Sequence, residues 1–230
     1  MTSAETATGG EDAAQAIAPI VKPRPRDAAT LILLDRSEGC PRVLLGKRSS
    51  RHVFMPDTYV FPGGRRDRQD HALPFSSDLH PVVLAKLSAE RRTDRSARAL
   101  ALAAVRELQE ETGLPLGETI GGRLHARLDS LRYIARAITP TGYPRRFDTR
   151  FFTTFADEAG ISPDQVCDTA ELHDVRWHAL DALGDLDMPW ITRAILGELD
   201  LLMQTDAALP FGSPVPFYRH RGRQYLHTPL

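Results

Sequence analysis

At 230 residues, 42% hydrophobic and 26% charged, the chain has material for one well-buried core and is short for two large ones. Its 29 basic and 30 acidic residues leave a net charge of −1, which excludes the broad electropositive footprint of a nucleic-acid polymer binder. No apolar run reaches the roughly 18 residues that cross a bilayer, and no basic segment followed by an apolar one opens the chain, so no membrane association and a cytoplasmic location are expected.

Residues 1–26 are rich in Ala, Thr, Gly and Pro and are read as a mobile tail. Residues 28–34, apolar and partly β-branched, predict a buried strand; after turn residues at 35–41, residues 42–47 predict a second strand, the two forming a hairpin. The aromatic and β-branched run Tyr59-Val60-Phe61 breaks at Pro62-Gly63-Gly64, which reads as a strand entering a tight turn. Pro74 and Ser76-Ser77-Asp78 are loop chemistry, residues 81–89 a short helix, and Thr93-Asp94-Arg95-Ser96 the cap of a longer one. Strands are expected at 131–139, 150–156 and 172–178, a helical turn from Asp181, and an amphipathic helix over 189–203 through Ile191, Ala194, Ile195, Leu199 and Leu202. Residues 214–230 are either a terminal hairpin packed on the body or a loose tail. Strands interleaved with two substantial helices indicate a mixed α/β sandwich. Cys40 and Cys167 have neither metal-ligand spacing nor a disulfide framework.

The most informative stretch is Arg106-Glu107-Leu108-Gln109-Glu110-Glu111-Thr112-Gly113-Leu114. Spaced i, i+3 and i+4, Glu107, Glu110 and Glu111 fall within an arc of about 100° on a helix. The apolar arc of Ala97, Ala101, Ala104, Val105, Leu108 and Thr112 lies beside them, and Gly113 supplies a left-handed cap. Three carboxylates together repel unless a cation neutralises them, and hard oxygen donors suit Mg²⁺ or Mn²⁺. The alternative is a solvated acidic face in which Arg106 and Glu110 form an ordinary i, i+4 pair. No H-E-x-x-H, Walker A or G-x-S-x-G motif is present to support other catalytic classes.

This nine-residue stretch with the upstream Gly63-Gly64 turn resembles the Nudix hydrolase box: Gly, five residues, Glu, seven residues, then Arg-Glu-aliphatic-x-Glu-Glu-x-Gly-aliphatic. The second half is complete from Arg106 to Leu114. The first departs from the pattern: Gly64 precedes Arg106 by 42 positions, an insertion of about 28 residues, and Arg98 stands where the upstream Glu is expected. Phe61-Pro62-Gly63-Gly64-Arg65-Arg66-Asp67 and Arg145-Arg146-Phe147-Asp148-Thr149 resemble the peroxisomal and bacterial CoA-type members, in which an insertion splits the box. Leu44-Leu45-Gly46-Lys47-Arg48-Ser49 is similar to the start of the CoA pyrophosphatase signature, whose Leu-Arg-x-His-x-Gly portion is absent.

The resemblance implies a Nudix-like α/β/α sandwich with a mixed central sheet, a domain over 27–205 with its insertion at about 65–95, and a C-terminal extension over 206–230. It implies a pyrophosphohydrolase whose Mg²⁺ or Mn²⁺ is held by Glu107, Glu110 and Glu111, with Glu107 or Glu110 in the catalytic step and Arg106 orienting a carboxylate. Gly64 permits close main-chain approach and offers its carbonyl as a ligand. Glu171 is a second candidate base or else a surface strand residue; Asp67 and Asp70 either replace the missing Glu or serve the turn. Arg48, Arg51, Arg65, Arg145 and Arg146 are candidate phosphate clamps, because guanidinium forks onto phosphate oxygens. Phe54, Tyr59, Tyr143 and Phe147 are candidate base-stacking residues or core residues. The expected partner is a small nucleotide-containing substrate, CoA or a related dinucleotide, against the alternative of a catalytically silent ligand-binding or regulatory domain. The sequence says nothing of oligomeric state.

Overall fold

A computed structural model describes residues 24–49, 56–90, 92–221 and 224–229. Arg51 and Phe54, among the candidates above, and residues 1–23 of the expected tail lie outside the described residues. β1 (Arg26–Asp35) begins two residues earlier than the apolar run, which takes Arg26 out of the tail. It pairs with β2 (Arg42–Arg48) only at Leu34↔Val43 and Asp35↔Arg42, and beyond that the two strands splay. Into the opening fits the 59–65 segment, where β3 (Tyr59–Val60) pairs with β2 and β4 (Gly63–Arg65) with β1.

The expected loop after Pro74 contains β5 (Phe75–Ser77), then α1 (Pro81–Ser88) and α2 (Asp94–Thr112). Thr93 caps α2 by accepting from Ser96 N–H, and Gly113 ends it at φ +76°. β6 (Gly117–Ile120) and β7 (Arg123–Arg127), not anticipated, form a hairpin across Gly121-Gly122, whose positive φ values suit a two-residue turn. With β5 they make a small second sheet. β8 (Arg132–Ile138), β9 (Phe147–Phe155), the single turn α3 (Ala156–Ala159), β10 (Leu172–Ala179) and α4 (Trp190–Thr205) follow. The 214–230 region resolves as a hairpin of β11 (Pro216–Arg221) and β12 (Gln224–Pro229), with β11 running parallel to β8.

Among the described residues the main sheet has nine strands in the order β10-β2-β1-β9-β8-β11-β12, with β3 and β4 off this path. Parallel β1–β9 and β8–β11 contacts among antiparallel ones make it mixed, as expected. Alternation along β1 explains why its sequence is apolar throughout: Leu31 and Leu33 pack beneath α1 and α2 with Leu100, Leu108 and Phe152, while Ile32 and Leu34 pack beneath α4 with Phe151, Ile195 and Leu199. Each such side chain contributes about 1.5–3 kcal/mol. Helices thus cover both faces, and the splay between β1 and β2 opens a passage through the sheet. Among the described residues no helix is long and apolar enough to cross a membrane.

Candidate active site

The 59–65 segment crosses the opening with its main chain against the last turns of α2. Leu31 N–H donates to the Pro62 carbonyl at 3.0 Å, which fixes the turn, and Gly63 N–H donates to Glu111 Oε2 at 2.8 Å. A Cβ on Gly64 would stand 2.2 Å from Glu107 Oε1, so glycine here is what leaves the Glu107 carboxylate in its place against the main chain. The two carboxylates and the two glycines form the floor of a cavity of about 450 Å³.

The helix separates the three glutamates according to what lies beside each. Glu111 projects within about 20° of Leu100 and Ala104 and is carried into the buried face, whereas Glu110 lies about 100° away from it. Glu111 is accordingly 6% exposed; the Glu110 side chain is 55% exposed, points away from the cavity and pairs with Arg106 at 2.7 Å. Burial pushes the Glu111 carboxyl up to about 8 against the Gly63 N–H, with Glu107 adding to the rise and Arg48 opposing it. Burial also raises Glu107, and Arg106 partly offsets this.

Arg106 supports the site from behind. It donates to Asp70 Oδ1 at 2.8 Å and to the Arg65 carbonyl at 3.0 Å, and pairs with Glu107 at 2.9 Å. Asp70 is fully buried; it accepts from Asp67 N–H at 2.6 Å and caps a 3₁₀ turn over Arg68–Ala72. It therefore holds both the turn and Arg106 and does not line the cavity. Asp67 pairs with Arg65 at 2.6 Å. Arg98, eight residues before Arg106, grips Asp78 through two nitrogens at 2.8 and 2.7 Å and ties the 74–80 segment to α2.

Of the candidate clamps, Arg48, Arg65 and Arg145 line the cavity. Burial lowers the Arg48 guanidinium against the pull of Glu111, Glu171 and Glu107. Arg146 does not line it; its Nε donates to the Thr139 and Pro140 carbonyls at 3.0 and 3.2 Å and closes the β8–β9 turn. Glu171 stands at the rim, exposed, and among the described residues no hydrogen bond holds its carboxylate. Of the candidate aromatics, Tyr143 and Phe147 line the cavity, while Tyr59 instead donates to Asp174. Sequence reasoning missed Trp190 and Tyr218, which meet edge to face with ring centroids 5.9 Å apart at the far end. The local sequence signal for Trp190 was a large aromatic at the first turn of an amphipathic helix, and the structure leaves it 49% exposed there.

Among the described residues, no three His, Cys, Asp or Glu converge closely enough to hold a metal by themselves. The donor set nevertheless fits a small hard cation. Mg²⁺ is typically held by one or two carboxylates and completed by water and phosphate oxygens, and Glu107 and Glu111 are two buried carboxylates whose mutual repulsion a cation relieves.

The model for the NUDIX domain matches residues 94–198, from the start of α2 through most of α4. Residues 94–198 are thus similar to a Nudix domain. It is 31% identical over 179 residues to "Putative nudix hydrolase 7" of Caenorhabditis elegans, a match covering 66% of this chain and 50% of the relative. The chain thus spans about half the length of that curated relative. Among solved structures it is similar to a NUDIX hydrolase from Alicyclobacillus acidocaldarius, with 26% identity and a TM-score of 0.58 over 76% of this chain and 90% of that one. It also shares a fold with the NUDIX domain of Shewanella oneidensis NrtR, solved with ADP ribose, at 14% identity and a TM-score of 0.50 over 80% and 92% of the two chains. The Nudix match contains Arg106, Glu107, Glu110, Glu111 and Glu171 and begins after Gly63 and Gly64, which the fold returns to the same floor.

Proposed function

We propose that the cavity is the active site of a pyrophosphohydrolase that uses Mg²⁺ or Mn²⁺ to split a nucleoside diphosphate derivative into two phosphate esters, or into an ester and phosphate. The observation that carries this reading is the packing of Glu107 and Glu111 against Gly63-Gly64 at the floor of a cavity with guanidinium groups near that floor and aromatic rings at its far end. Glu107, Glu111 and the Gly64 carbonyl are the groups that would hold the cation. Glu110 joins them only by breaking its pair with Arg106. A divalent cation there supplies charge neutralisation at the phosphate oxygens and a more acidic water.

Arg48, Arg65 and Arg145 grip the diphosphate, and the Trp190–Tyr218 end with Tyr143 takes a planar ring. Water attacks phosphorus: one O–P bond forms, the anhydride P–O bond breaks, and the proton passes to a carboxylate. Glu107 is tied to Arg106 and Glu111 to Gly63 N–H, so Glu171 is the carboxylate in the cavity available to accept it. Arg106 and Asp70 are positioning residues. The insertion that splits the box is, in this reading, the 66–93 segment, which leaves after β4 and returns at the Thr93 cap. CoA or a related dinucleotide is the leading substrate, on the resemblance of residues 61–67 and 145–149 to CoA-type members. The test is a hydrolysis screen with Mg²⁺ or Mn²⁺ across CoA, NADH, ADP-ribose and nucleoside triphosphates, with products resolved by chromatography. Cleavage between the two phosphorus atoms of a diphosphate is expected. Tight binding of these compounds without cleavage would overturn the reading in favour of a silent ligand-binding domain.

A further inference from the structure

Next to the cavity lies a second, open cleft of about 690 Å³ lined by Arg26, Arg65, Arg66, Arg68, Asp27, Asp67 and Gln69. Four guanidinium groups face two carboxylates in a chain whose overall charge is −1, so positive charge is concentrated here. Both carboxylates are already committed. Asp67 pairs with Arg65, and Asp27 accepts from Arg92 at 2.6 Å and also pairs with Arg66 and Arg150 at 3.3 and 3.4 Å. Arg26 and Arg68 are exposed in the cleft and, among the described residues, neither side chain has a hydrogen bond or ion pair.

The cleft and the cavity share Arg65. Arg65 lies opposite Ala28 in the β1–β4 ladder, and Ala28 lines the cavity. Arg26, two residues before Ala28, shares its face of β1 about 6.6 Å further along. One molecule can therefore reach from the carboxylate floor to Arg26 and Arg68. Unpaired, forked and permanently charged donors suit a dianionic phosphate better than a carboxylate or a neutral polar group.

We propose that this arginine cleft binds a phosphate monoester carried by the same substrate whose diphosphate lies at Glu107 and Glu111. The proposal rests on the hydrolase reading and narrows its substrates to nucleotides bearing an additional phosphate on the ribose. It makes Arg26 and Arg68 the residues that tell such substrates from their unphosphorylated counterparts.

The test is calorimetric, with Mg²⁺ present, using AMP, adenosine 2′,5′-bisphosphate and adenosine 3′,5′-bisphosphate as probes. The wild-type chain is expected to bind one bisphosphate at least about tenfold more tightly than AMP, the scale of one charge-assisted contact. In Arg26→Ala/Arg68→Ala that ratio collapses to near one, and in Arg123→Ala, which removes an exposed charge on β7, it persists. The single variants keep the test readable if the double variant folds poorly. Equal binding of the three probes by the wild-type chain, or a ratio that survives the double substitution, would overturn the proposal and leave the hydrolase reading standing. A preserved preference for a bisphosphate with no cleavage of any dinucleotide would remove the hydrolase reading and retain the cleft as a phosphate site.

Discussion

Arg106→Ala is the perturbation with the largest worked consequence. The guanidinium binds Asp70, Glu107, Glu110 and the Arg65 carbonyl, all between 2.7 and 3.0 Å, and its side chain is 12% exposed. Its loss leaves Asp70, with no solvent access, holding a charge supported, among the described residues, only by the Asp67 N–H. Breaking a buried pair by removing one partner costs about 3–5 kcal/mol, against about 0–1 kcal/mol for a surface pair. In a chain of this size each kcal/mol lowers Tm by roughly 2–4 °C, so a fall of about 6–20 °C is expected. Glu107 also loses its anchor, and at a metal site such as the one proposed the loss of such a support lowers activity about 10- to 100-fold. Arg106→Ala/Asp70→Asn should recover a large part of the lost stability by removing the stranded charge, without recovering kcat. Thermal melts and steady-state kinetics on the two variants separate the effects. A Tm within about 2 °C of wild type, corresponding to less than 1 kcal/mol, would refute the assignment of Arg106 and Asp70 as a buried pair.

Three other substitutions test separate parts of the account. Gly64→Ala forces a methyl against Glu107 Oε1 in a backbone that is not left-handed, so its effect is displacement of that carboxylate. A kcat loss on the order of 10²-fold with little change in Tm is expected, and full activity would disprove the close approach. Glu171→Gln should lower kcat by about 10²–10⁴-fold while KM changes little; an unaltered kcat would return the base role to Glu107. Burial alone would raise the Asp35 carboxyl, but Arg42 and both the backbone N–H and hydroxyl of Ser37 hold it below its ordinary value. The ionised form is therefore favoured in the folded state, and its contribution is complete above about pH 4 and lost as pH falls through the depressed folded value. The stability gap between wild type and Asp35→Asn in urea titrations should shrink as pH drops in that range, and a gap independent of pH would contradict the pairing.

The parts of the fold fixed by local chemistry were legible in the sequence. Thr93 and Gly113 delimit α2 because a hydroxyl cap and a left-handed glycine act within one turn. β1 was visible because both its faces are buried. The small sheet was not, since its strands are three to five residues long, mostly polar, and depend on β5 meeting β7 some 50 positions later. The candidate site divides in the same way. The spacing placed three carboxylates on one side of α2, and the helical angle turns Glu111 toward the face of Leu100 and Ala104, but that this end of the helix lies under the 59–65 segment is a long-range contact that the nine residues do not encode. Trp190 and Tyr218 come together only because β11 adds to β8 across about 80 residues, a pairing with no local signature.

The central claim is that Glu111, packed beside Glu107 under Gly63-Gly64, is part of a cation-dependent site for breaking a phosphoanhydride. The most direct measurement is the rate of cleavage of one dinucleotide by the wild-type chain and by Glu111→Gln, with and without Mg²⁺, alongside the Tm of both. The account predicts turnover by the wild-type chain only with the cation, and a kcat lower by orders of magnitude in Glu111→Gln at a Tm close to wild type, since a carboxyl pushed up to about 8 is largely uncharged at neutral pH and the amide oxygen still accepts from Gly63 N–H. Equal rates for the two chains, or wild-type cleavage that persists without a divalent cation, would contradict it.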